Sequence, residues 1–217
     1  EERQTIVGFG VSGAWWSQQI GGWPEEKLNK ILQLLFSREH GIGLTIFRYH
    51  IGAGKSKNIH DDWRTTESFA ISPGQYDWSK DKNSIRVLKS VHQQGVTDLA
   101  AMAYSPPSWM TKSSIVCGGV NGASNLREDM YEPFARYLVD ITEHIIKEEG
   151  IPIKWLSPLN EPEWEWKSIC DRQQEGCHYE PQEVTKLAKL ILSELERRGL
   201  DVKLHIPEAG HWAGLPE

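Results

Sequence analysis

Short β-like runs alternate with longer amphipathic stretches along this 217-residue chain, a pattern that predicts an α/β fold on a parallel sheet. Connections after the helical stretches are short, whereas those after the strands, at 50–81, 104–127 and 159–179, are long. Trp15, Trp16, Trp109, Trp164, Trp166 and Trp212, six of the ten tryptophans, fall just beyond strand ends. Long loops and aromatics gathered at one end of the strands predict a (β/α)8 TIM barrel, whose sites lie on that face. About five of its strand–helix units are present.

The strands are expected near 5–10, 43–49, 97–103, 153–158 and 202–206. Between the first two, Leu28, Ile31, Leu32, Leu35 and Phe36 recur at helical spacing, after Pro24 and two acidic residues suited to a helix N-terminus. A second helix is expected near 82–94, stopped by Gly95, and a third near 128–149, stopped by Gly150. Pro181 and Glu183 open the fourth, Val184, Leu187, Ala188, Ile191, Leu192 and Leu195 form its apolar stripe, and Gly199 ends it. A doubly wound open sheet shares this alternation. Gly8-Phe-Gly10-Val-Ser-Gly13 superficially fits its phosphate-binding signature, but Ala14, Trp15 and Trp16 would block close approach to a pyrophosphate.

Hydrophobic residues make up 39% of the chain, enough for a real core, and nothing reads as a linker or repeat. No apolar run reaches membrane-spanning length, and the first residues lack the basic and apolar regions of a signal peptide. A net charge of -6 argues against nucleic-acid binding. Of three cysteines, Cys170 and Cys177 form either one local bridge or two free thiols.

Chemistry concentrates at Trp155-Leu-Ser-Pro-Leu-Asn160-Glu161-Pro162, an apolar run ending in an amide, a carboxyl and a ring-locked turn. A carboxyl held on rigid backbone at a barrel mouth suits general acid catalysis, and Trp164 and Trp166 beside it suit stacking on sugar rings. Asn160 is placed to donate a hydrogen bond to a sugar 2-hydroxyl. His205, Glu208 and His211 straddle the last strand but are interrupted by Pro207 and Gly210, which removes helical ligand geometry. Glu208 is read as a cleft-lining carboxylate and Trp212 as another stacking surface, and no metal or other cofactor is expected.

The chain resembles glycoside hydrolase family 30, of the clan A barrel type. The resemblance rests on Val7-Gly-Phe-Gly10 with Ser12-Gly-Ala-Trp-Trp16, Phe47-Arg48 with Ile51-Gly52, Ser105-Pro-Pro-Ser-Trp109-Met110, and Leu156-Ser-Pro-Leu-Asn-Glu-Pro162. It implies that Glu161 is the acid/base of a retaining, double-displacement β-glycosidase and that Asn160 binds substrate beside it. Arg48 matches the arginine that ion-pairs the nucleophile carboxylate, and Trp109 matches a wall of the subsite next to the scissile bond. Trp15, Trp16, Glu163-Trp-Glu-Trp166 and Gln174-Glu-Gly-Cys-His178 look most like the endo-β-1,6-galactanase-like branch. Glucuronoxylanase-like and glucosylceramidase-like branches share the catalytic motifs, and a non-catalytic carbohydrate-binding barrel would share the aromatics.

The resemblance further implies a secreted enzyme acting on a β-linked oligosaccharide or polysaccharide. In this clan the nucleophile follows the seventh strand. Residues 1–217 are therefore expected to be the N-terminal part of one catalytic barrel, needing its remainder for activity.

Overall fold

The computed structural model describes residues 3–56, 59–167 and 174–211. The chain begins with β1 (Gly10–Ser12), α1 (Trp16–Ile20), α2 (Glu25–Phe36) and β2 (Ile46–Ile51). A hairpin, β3 (Ala70–Ser72) and β4 (Gln75–Tyr76), precedes α3 (Lys82–Gln93) and β5 (Asp98–Ala103). Then come α4 (Tyr131–Lys147), β6 (Ile153–Ser157), α5 (Pro181–Arg197) and β7 (Lys203–Leu204).

Five strands form one parallel sheet in the order β1-β2-β5-β6-β7. A doubly wound sheet reverses its strand order at a switch point. Here the order runs in one direction only, so right-handed crossovers bring the helices to one face of the sheet. That face is the core: Phe47, Tyr49 and Ile51 on β2 and Leu99, Ala101 and Ala103 on β5 pack with Leu28, Leu32, Leu88, Phe134, Leu138 and Ile191. Strand side chains alternate between faces. The register Ser12↔Arg48, Arg48↔Ala100, Ala100↔Trp155 and Trp155↔Lys203 therefore lays a transverse row across the opposite face.

The helices follow the sequence expectation closely because their apolar stripes are long and their ends are marked. Gly95, Gly150 and Gly199 stand just past α3, α4 and α5 at φ 89°, 69° and 65°, left-handed positions that only glycine takes without strain. A capping box joins Glu180 and Glu183 at the start of α5. Glu183 also accepts a hydrogen bond from Tyr131 Oη at 2.8 Å, tying α5 to α4.

The first strand departs from expectation, running over Gly10–Ser12 rather than 5–10. Ile6, Val7 and Phe9, the apolar residues that suggested it, are exposed. The ladder starts at Gly10 because the two backbones approach closely there: a Cβ on Gly10 would stand 2.6 Å from Cβ of Ile46. Helix α1 and the β3–β4 hairpin were not anticipated, being too short to carry a hydrophobic period.

The local bridge considered for Cys170 and Cys177 does not form. Cys177 is a free, buried thiol, pushed up to about 12 by its burial, and Cys117 is disulfide-bonded instead. Cys170 lies outside the described residues. No helix among the described residues is long and apolar enough to cross a membrane.

Candidate active site

Arg48 on β2, Glu161 beyond β6 and Glu208 beyond β7 are linked through Glu208, by its carboxylate to Arg48 and by its backbone to Glu161. Arg48 projects from β2, and its Nη1 lies 2.8 Å from Glu208 Oε2, with Glu208 only 15% exposed. The Glu208 carbonyl in turn accepts the Glu161 backbone N–H at 2.8 Å. His205 Nδ1 sits 3.3 Å from the second Glu208 oxygen. His211 instead meets Trp164 edge-on, so these two histidines and Glu208 do not converge on one point.

Glu161, just beyond β6, has φ 45°, the left-handed region. A residue with a side chain pays about 1–3 kcal/mol to stay there, so its surroundings must over-determine it. They do: Glu161 N is held by Glu208, and the Glu161 carbonyl accepts both the Trp164 N–H at 3.1 Å and the Trp166 indole N–H at 3.0 Å. Asn160 is nearly buried, and its Nδ2 donates to Glu161 Oε2 at 3.4 Å. The adjacency that the Asn-Glu-Pro motif suggested is thus an amide placed against the carboxylate.

The loop after β7 closes on this carboxylate. Gly210 N donates to Glu163 Oε1 at 2.5 Å. A Cβ at position 210 would stand 2.3 Å from Trp164 Nε1 and 2.9 Å from Glu161 Oε1. Replacing Gly210 by Ala is expected to push on the Glu161 carboxyl and the Trp164 indole, and to lower kcat about tenfold in a reaction that this carboxyl serves, since small displacements at a reaction centre are costly. Steady-state kinetics beside a thermal melt checks this: unchanged kcat would mean that the side chains yield without moving the carboxylate.

The expected aromatic surface divides. Trp15 is half-buried, edge-on to His50 and Trp63 and 5.4 Å from the Tyr104 ring centroid. Trp16 turns the other way, packing on Phe47 of the helical core, with its indole donating to the Ser12 carbonyl. Consecutive side chains diverge at the start of α1, so only one of the pair reaches the sheet's rim.

Trp109 packs against the core and lines a cavity of about 140 Å³ with Tyr76, Pro133 and Arg136. Trp164 is half-buried, whereas Trp166 is only 2% exposed, so the open stacking face expected of Trp166 is missing. Trp212 lies outside the described residues.

One pair on this rim was missed. His50 Nε2 lies 2.9 Å from Glu175 Oε2, and the two side chains are 3% and 0% exposed. Glu175 also accepts the Ala53 N–H, and Thr66 Oγ1 is 3.2 Å from His50 Nδ1. Nothing local in the sequence links residues so far apart; only the loop after β6 folding back over β2 joins them.

A five-stranded parallel sheet with its helices on one face, and with an arginine, carboxylates and indoles along its C-terminal rim, makes this an α/β protein of the strand–helix class. The chain belongs to O-glycosyl hydrolase family 30, whose model matches residues 1–216. An endo-beta-1,6-galactanase from Hypocrea rufa is 26% identical over 226 residues, covering 90% of this chain and 45% of that protein.

A conserved exported protein from Bacteroides fragilis superposes with TM-score 0.89 at 31% identity, over 96% of this chain and 44% of its own. The catalytic domain of xylanase C from Talaromyces cellulolyticus shares the fold, with TM-score 0.75 at 23% identity, over 97% of this chain and 48% of its own. The chain thus spans less than half the length of these relatives.

Proposed function

We propose that this chain is the first part of the (β/α)8 catalytic barrel of a retaining β-glycoside hydrolase, with Glu161 as acid/base. The observation that carries the reading is the Glu161 carboxylate itself. It is held in left-handed backbone on the rim of a parallel sheet, with the Asn160 amide against it and the Arg48–Glu208 pair bonded to its backbone.

In the first step a nucleophilic carboxylate attacks the anomeric carbon. The bond to the leaving oxygen breaks as the Glu161 carboxyl gives that oxygen its proton. In the second step Glu161, now a carboxylate, takes a proton from the water that releases the sugar. Asn160 donates to the sugar 2-hydroxyl, where the bond strengthens as positive charge develops. Further strands completing the barrel supply the nucleophile, and Arg48, which pairs with Glu208 here, is assigned by the family resemblance to hold that second carboxylate ionised. The chemistry requires no cofactor.

The substrate reading is an endo-acting enzyme on a β-1,6-linked galactan, supported by the Hypocrea rufa relative. Export is supported by the Bacteroides fragilis relative and by the disulfide at Cys117, which suits an oxidising compartment. NMR of the first product released from β-1,6-galactan by the full-length enzyme tests mechanism and substrate together. The β-anomer is expected first; an α-anomer would sink the double-displacement assignment. Cleavage of glucuronoxylan but not galactan would overturn the substrate reading alone.

A further inference from the structure

We infer that Trp63 and Arg64, on the loop after β2, form an outer platform that binds a pyranose unit of the glycan away from the bond being cleaved. The inference rests on the glycosidase reading above and adds to it an extended, chain-binding cleft. Within residues 1–217 Trp63 keeps 45% of its surface exposed, although an indole is among the largest apolar surfaces a protein can bury.

Its loop is nevertheless built to stay in place. Gln18 of α1 donates to the carbonyls of both Trp63 (2.6 Å) and Thr65 (2.9 Å). The Gln18 Oε1 accepts from Thr66 Oγ1 at 2.7 Å, and Thr66 reaches the buried His50–Glu175 pair. An exposed indole on a loop tied this firmly is a pre-organised surface, which binds with little ordering cost.

Arg64 supplies the polar half. Its guanidinium carbon stands 4.7 Å from the Trp63 ring centroid and 5.4 Å from that of Trp15. Among the described residues it meets no carboxylate at hydrogen-bond length; Asp61 is 3.8 Å from Nε. With the guanidinium over one face of the indole, the opposite face is the one offered to the C–H face of a sugar ring, whose hydroxyl oxygens accept from guanidinium donors at the indole's edge.

The platform is also continuous with the catalytic rim. Trp63 meets Trp15 at 6.0 Å, Trp15 meets Tyr104 at 5.4 Å, and Tyr104 meets His50 at 4.6 Å. His50 lies on the same face of β2 as Arg48 by the two-residue period of a strand. These rings, with Tyr104 and His50 buried, fix the platform to the rim that carries Arg48, so a glycan bound at the cleavage site and extended along that rim would reach Trp63, and the enzyme would favour long chains.

The test uses the full-length protein, β-1,6-linked galactohexaose and nitrophenyl β-galactoside. For Trp63→Ala, the ratio of kcat/KM on the hexasaccharide to that on the aryl galactoside should fall about tenfold. Retardation in galactan-containing affinity gels should weaken in parallel, and Trp63→Phe should restore part of both.

A ratio and a retardation equal to wild type would overturn the platform while leaving the glycosidase reading intact. A lowered melting temperature with no rescue by Phe would also overturn it, in favour of a packing role. Wild-type protein retarded by galactan but unable to hydrolyse any β-glycan would overturn the glycosidase reading alone, and protein that neither binds nor cleaves one would overturn both.

Discussion

Glu161→Gln in the full-length enzyme is expected to slow hydrolysis of natural β-glycans by about 10²–10⁴-fold, the usual contribution of a positioned proton donor. The amide keeps the volume and the backbone bonds of Glu161 to Glu208, Trp164 and Trp166, so folding should survive. What is lost is the proton. The defect should therefore shrink in the first step on an aryl glycoside whose leaving group departs as a stable anion. Burst kinetics on aryl and natural substrates separates the two steps. Equal losses on both in the first step would remove Glu161 from the acid role.

Trp166→Ala is expected to destabilise the full-length enzyme by about 3–5 kcal/mol, the range for truncating a large buried aromatic side chain. Trp166 is 2% exposed and closely surrounded: a Cβ on Gly176 would stand 2.2 Å from its Cδ2, and its carbonyl accepts the Gly119 N–H at 3.0 Å. Its indole also holds the Glu161 carbonyl, so the variant should lose kcat along with stability. Denaturant unfolding beside kinetics checks both. Unchanged stability with weakened sugar binding would mean that the indole reaches substrate after all.

Trp164 and Trp166 show where reading residues in order stops being enough. Both sit in Glu163-Trp-Glu-Trp166, and both suited a sugar-stacking role. The structure separates them, leaving Trp164 half-buried near His211 and closing Trp166 inside. A loop has no hydrophobic period from which to tell an inward indole from an outward one. The same limit applies to Trp15 and Trp16, and to Trp63, whose exposure depends on the loop that Gln18 holds.

What the sequence determined by itself is whatever is written locally. The helices and the alternation with strands follow from stripes of apolar residues and from Gly95, Gly150 and Gly199 at helix ends. Asn160 and Glu161 were legible because the motif is contiguous and its neighbours are covalent. Tertiary structure alone decided which distant groups meet.

The parallel sheet carries Arg48 to Glu208 across 160 residues and His50 to Glu175 across 125, and the disulfide involves Cys117 where a local bridge between Cys170 and Cys177 had been considered. These contacts form because successive strands of a parallel sheet end on one rim, so loops far apart in the chain share that edge. Local periodicity specifies each strand and helix, but it carries no record of which loop will lie against which.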